Sequence, residues 1–260
     1  MAGHEPMNAE APSGDAGAGG RRFEIEGRSL GYPTRFRDGS SAVGLFLVPS
    51  RGAARLISES GFEVAEVAPG RAILSLACVH YRDSDCDVYN EISLAFFVKK
   101  LGQASGIPYL GTWRDIVRGD AVTCIWKLPV TTRLANDCGV LMWGLPKTIE
   151  EIDFDVSGGR ATFALRMDGR EVLRYSVRAE GKRKQPGTTS AVYSQFEGAP
   201  HVSRLAADYS EVGVRLGGGH LDLGDHPIAD ELRDLGLPRR PIVATWLGKL
   251  AFEMSAPEKL

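Results

Sequence analysis

The stretch from Val88 to Val98 constrains the fold more than any other part of the chain. In an extended strand, Val88, Asn90, Ile92, Leu94, Phe96 and Val98 fall on one side, and Tyr89, Glu91, Ser93, Ala95 and Phe97 on the other. Both sides carry apolar groups, so both faces must be covered. A sheet with one face open to water does not satisfy this pattern. Glu91 sits in the middle of the strand and is drawn into the interior with it. A buried carboxylate requires a partner or takes up a proton, which marks Glu91 as a residue to follow.

The remaining text is rich in short strands. Structure begins near Arg22, with breaks at Gly31-Tyr32-Pro33 and Asp38-Gly39-Ser40-Ser41. Strands are expected at Arg71–His80, Ala121–Leu128, Arg160–Met167 and Val172–Glu180. The last two are joined by a hairpin at Asp168-Gly169. Shorter strand signals lie at Ser190–Gln195 and Glu211–Leu216, and Ile242–Met254 reads as strand or helix alike. Ser50 is placed to cap a helix over Arg51–Ser60 that buries Ala53, Ala54, Leu56 and Ile57. A second helix is expected over Pro227–Leu235, capped by Asp225 or His226 and closed by Gly236. Many strands and few helices predict one mainly-β domain with a few short helices over residues 21–260, in the manner of a closed antiparallel barrel.

Composition excludes several classes of function. A formal charge of −2 offers no bulk attraction to nucleic acid or to anionic membrane, and no run reaches the ~18 apolar residues of a membrane span. Residues 1–20 are rich in Gly and Ala and lack the apolar centre of a signal peptide, which reads as a disordered tail. Cys78, Cys86, Cys124 and Cys138 form no Cys-x-x-Cys pair. Free thiols in a reducing cytoplasm are expected.

Among eight lysines, Lys147 stands apart because it closes the apolar run Val140-Leu141-Met142-Trp143-Gly144-Leu145-Pro146. Desolvation disfavours an ammonium, and a lysine must lose its proton before it can attack a carbonyl. Local sequence alone favours the plainer reading, a lysine whose stem is buried and whose head reaches water.

The segment from Gly139 to Lys147 resembles the part of the acetoacetate decarboxylases that ends in Tyr-Pro-Lys-Lys, whose first lysine forms a Schiff base. Tyr89-Asn90-Glu91 resembles that family's Tyr-x-Glu. Leu223-Gly224-Asp225-His226-Pro227, with the helix that follows, resembles its Asp-His segment. The three motifs occur in order between Ala42 and the C-terminus. The resemblance implies a cone-like β-barrel, homo-oligomeric assembly, a small keto-acid substrate and no cofactor. It also implies Lys147 as nucleophile, Glu91 as acid/base, and Tyr89 with Arg37 at the substrate, Arg28 being the other arginine near in sequence.

The chain departs from the family at several points. Thr148 replaces the second lysine, Val140-Leu141 replace an Arg-Glu pair, and a further acid is replaced within Ile73–Leu76. These departures leave two other readings open: an aldolase-dehydratase acting on pyruvate or another 2-oxo acid, and a non-catalytic binding relative. His220, Asp222, Asp225 and His226 suggest a metal site only weakly, because they fall on a strand end and a helix cap, so no metal is expected. No Gly-x-Ser-x-Gly elbow is present for a hydrolase. Trp113, Trp126 and Trp143 read as core or pocket-lining residues.

Overall fold

The alternation at 88–98 extends over neighbouring strands, and their two faces build two different interiors. The computed structural model describes residues 20–102 and 109–260, so the expected N-terminal tail lies, up to residue 19, outside the described residues. The chain runs β1 (Arg22–Ile25), β2 (Arg28–Gly31), β3 (Thr34–Pro49), α1 (Ser50–Leu56), β4 (Glu66–Ala68), β5 (Arg71–Ser84) and β6 (Tyr89–Val98). There follow α2 (Leu110–Arg118), β7 (Val122–Val130), α3 (Arg133–Trp143), β8 (Lys147–Ile149), β9 (Glu151–Ser157), β10 (Arg160–Met167) and β11 (Arg170–Arg178). The rest is β12 (Arg183–Phe196), β13 (Ala199–Leu216), β14 (Gly219–Leu223), α4 (Pro227–Asp234), β15 (Val243–Met254) and β16 (Glu258–Lys259).

The large sheet runs β12-β13-β15-β3-β5-β6-β7-β8, with β4 beside β5 and β16 beside β13. Strand β7 also pairs with β12, Ala191–Val192–Tyr193 lying against Val122–Thr123–Cys124, so the hydrogen-bonded path returns to its first strand. That contact and the one between β7 and β8 are parallel, which corrects the expectation of an antiparallel arrangement throughout. The physical reason at β8 is α3, a crossover helix that carries the chain back to start β8 in the same direction as β7.

A second sheet, β14-β11-β10-β9, packs on the outside of the first. Ala42, Phe46, Leu74, Leu76, Ile92 and Phe96 of the large sheet meet Ile152, Phe163, Leu173 and Tyr175 of the small one in the main core. The opposite faces of β3, β5 and β6 line an internal cavity. The two-sided reading of 88–98 therefore holds, with protein on one face and a lined cavity on the other.

Local signals explain most boundaries. Asp168 and Gly169 both take positive φ between the paired Met167 and Arg170, the two-residue turn that an Asp-Gly step favours. His226 caps α4 by accepting the Ile228 amide at 3.2 Å. Helix α1 is shorter than expected: it stops at Leu56, a single 3-10 turn covers Ser58–Ser60, and Ala54 is exposed. Ser50 does not cap it, because its hydroxyl donates to Glu66 Oε1 at 2.6 Å. The ambiguous 242–254 stretch is the strand β15, held between β13 and β3. No helix among the described residues is long and apolar enough to cross a membrane.

Helix α3 was not anticipated, and it delivers Lys147. Thr132 caps it by accepting the Ala135 amide at 3.3 Å, and Gly144 ends it at φ 63°. A Cβ at Gly144 would stand 2.3 Å from the Gln195 carbonyl oxygen. Gly144→Ala is therefore expected to cost roughly 1–3 kcal/mol, a combined effect of the left-handed backbone and the clash, read by chemical denaturation.

Candidate active site

Lys147 and Glu91 come from the two strands that flank β7. Lys147 lies beside Leu128 on β8, and Glu91 lies beside Val130 on β6. Their side chains meet inside the protein, Lys147 Nζ standing 2.8 Å from Glu91 Oε2 with the side chains 6% and 11% exposed. This is a desolvated ion pair, in which each charge is tolerated because the other is present.

Two further contacts fix it. The Tyr81 hydroxyl donates to Glu91 Oε1 at 3.1 Å. The ammonium also lies 5.1 Å from the centre of the Tyr89 ring, a cation–π contact. Burial, and secondarily the Glu91 charge, push both phenols well above their ordinary range. Tyr81 therefore stays a neutral donor across physiological pH. Close by, Cys86 and Cys138 are coupled: the Cys138 neighbour raises Cys86, the Cys86 neighbour lowers Cys138, and the Lys147 charge favours thiolate at both.

Helix α3 touches the lysine stem at Gly139, where a Cβ would stand 2.4 Å from Lys147 Cδ. The stem is flexible, but its far end is held by Glu91, so the added methyl displaces the amine. Gly139→Ala is expected to fold with a modest loss of melting temperature and to lower carbonyl capture at Lys147 by tenfold or more. Mass spectrometry after borohydride trapping reads that change.

The pair opens into a cavity of about 400 Å³. Tyr81, Tyr89, Cys86, Trp143 and Leu145 surround the charged end, and Leu128, Val79 and Phe36 continue the wall. Among the described lining residues, Lys147 and Glu91 are the only charged ones. A carbonyl carbon brought to Nζ would have a carboxylate within one hydrogen bond to take and return protons.

The structure brings Lys147, Glu91 and Tyr89 together and leaves Arg37 outside. Arg37 is half-exposed and paired with Asp83 at 3.1 Å and with Asp85, away from the cavity wall. Arg28 pairs with Asp87 at 3.2 Å on the surface. Asn90 points to the other face of β6, its Oδ1 2.7 Å from His80 Nδ1. His220 Nε2 contacts Asp222 Oδ1 at 3.1 Å, and no three His, Cys, Asp or Glu side chains among the described residues converge as metal ligands. Trp143 is buried in the cavity wall, while the Trp113 indole donates to the Val67 carbonyl. Sequence reasoning missed Tyr81. The strand expected to end at His80 continues to Ser84, which sets Tyr81 opposite Tyr89.

Comparison with known proteins places this chain in a family. The sequence model of the acetoacetate decarboxylase (ADC) family matches residues 25–254, and the chain belongs to that family. The chain superposes on an acetoacetate decarboxylase from Legionella pneumophila with a TM-score of 0.64 at 12% identity, covering 97% of this chain and 98% of that one. Another solved acetoacetate decarboxylase gives 0.62 at 14% identity, covering 88% and 89%. The enduracididine biosynthesis enzyme MppR, solved with pyruvate, gives 0.59 at 17% identity, covering 88% and 91%. At these identities the likeness is one of fold. No curated protein sequence matches the chain significantly.

Proposed function

We propose that the chain is a Schiff-base-forming lyase that decarboxylates a β-keto acid of the acetoacetate type at Lys147, within a cone-like barrel formed by the returning sheet. The observation that carries this reading is the buried Lys147–Glu91 pair at 2.8 Å facing an apolar cavity. Glu91 accepts the ammonium proton, and the free amine attacks the ketone carbon. Water leaves and an iminium forms. The bond to the carboxylate carbon then breaks, its electron pair enters the iminium, and carbon dioxide departs. The resulting enamine takes a proton on carbon, and water hydrolyses the imine to release the ketone and the lysine. The iminium is itself the electron sink, so the steps call for no cofactor.

Thr148 in place of a second lysine and the lack of an arginine among the described lining residues favour a second reading, an aldolase-dehydratase on pyruvate or another 2-oxo acid through the same amine. Incubation with β-keto acids and measurement of released carbon dioxide separates the two. Release that depends on Lys147 supports decarboxylation. Imine formation without gas, followed by condensation with an added aldehyde, supports the second reading. Neither gas nor imine leaves a binding protein.

A further inference from the structure

The cavity reaches far beyond the reacting end. Its wall takes every second residue of β6 from Tyr89 to Phe97 and of β5 from Ser75 to Tyr81. At about 3.4 Å per residue, Ala95 lies ~14 Å along the strand from Glu91, and Phe97 ~20 Å. Space persists there because small side chains face each other: the register sets Ser75 opposite Ala95 and Ala77 opposite Ser93. Val43, Phe97, Ile116 and Ile125 supply the apolar surface of this arm, which ends against Gly119 of the α2 terminus.

The chemistry of the arm is one-sided. Its polar groups are hydroxyls such as Ser75, Ser93 and Thr123, and among its described residues no charged side chain is present. Among the described lining residues the one cation and the one carboxylate, both at the opposite end, neutralise each other. A four-carbon keto acid held at Lys147 Nζ leaves the arm to water, against largely apolar walls.

We infer that this arm binds an extended apolar tail, so that the carbonyl substrate captured at Lys147 is a medium-chain alkyl or aryl-alkyl keto acid. The inference rests on the imine reading of Lys147 and specifies its substrate class. The carbonyl sits at Nζ, and the tail runs along β5 and β6 past Ala77 and Ser93 toward Ala95. Burying each added methylene improves apparent affinity roughly fourfold until the arm is full.

The test uses a homologous series of straight-chain 3-oxo acids from four to twelve carbons with the full-length protein. Two readouts are taken: half-saturating concentration for borohydride-trapped adduct, and melting temperature without borohydride. The expected result is a half-saturating concentration that falls about fourfold per methylene over several members and then levels. Ala95→Phe, or Ala77→Leu where the former does not fold, should abolish that dependence, so that the longest acid binds no better than the shortest. A flat series in the wild type, or a dependence unchanged in both variants, overturns the inference. The melting series keeps the two claims distinct. Chain-length-dependent stabilisation without adduct sinks the imine and retains the tail site, whereas adduct formation without chain-length dependence does the reverse.

Discussion

Lys147→Ala is expected to abolish adduct formation with keto acids and to lower turnover by roughly 10⁴-fold or more, the scale seen when a nucleophile is removed. The reason is geometric as well as chemical. Among the described residues that line the cavity, Lys147 carries the only amine. Lys127 Nζ lies over the Trp126 ring outside the lining and cannot take its place. Steady-state kinetics on the substrate identified by trapping checks the magnitude. Glu91→Gln, which keeps shape and a hydrogen-bond acceptor for Tyr81, should retain a folded protein while slowing proton transfer by about 10²–10⁴-fold.

The second large effect is on stability, and it follows from burial of the pair. Removing either partner leaves a desolvated charge, so Lys147→Met and Glu91→Leu should each cost about 3–5 kcal/mol. In a domain of this size that is on the order of a 10 °C drop in melting temperature. The double variant should recover most of the loss, because apolar groups of similar volume replace a pair that must be dehydrated. Full recovery is not expected: the Tyr81 hydroxyl loses Glu91 as acceptor, at about 1–3 kcal/mol. A double-mutant cycle by chemical denaturation reads all four corners.

The parts of this site that were legible in the sequence are those set by local periodicity. The alternation at 88–98 placed Tyr89 and Glu91 on one face, and the structure puts both against Lys147. The Asp168-Gly169 turn and the capped helix α4 were likewise local matters. What escaped depends on contacts distant in sequence. Helix α3 escaped because only its first two turns carry polar groups outward, at Arg133, Asn136 and Asp137, while its last turn exposes Val140 and Leu141 and merges with the apolar run that ends at Pro146. Strands β12 and β13 read as fragments because Pro186-Gly187 and several charged residues interrupt them, although pairing between them spans nearly their whole length. Parallel closure of β7 on β12 joins residues about seventy positions apart, beyond the reach of any window. Arg37 illustrates the opposite case. Its number in the chain suggested the site, yet Asp83 and Asp85, brought beside it by the β3–β5 pairing, hold it at the surface.

Everything proposed for this site depends on Lys147 forming an imine with a keto acid. Its most direct test is the intact mass of the protein after incubation with 3-oxo acids or pyruvate and borohydride, on wild type and Lys147→Ala. One reduced adduct per chain is expected in the wild type, mapped to the peptide carrying Lys147, and none in the variant. An adduct that persists in Lys147→Ala, or its absence from the wild type across the whole panel, would contradict it.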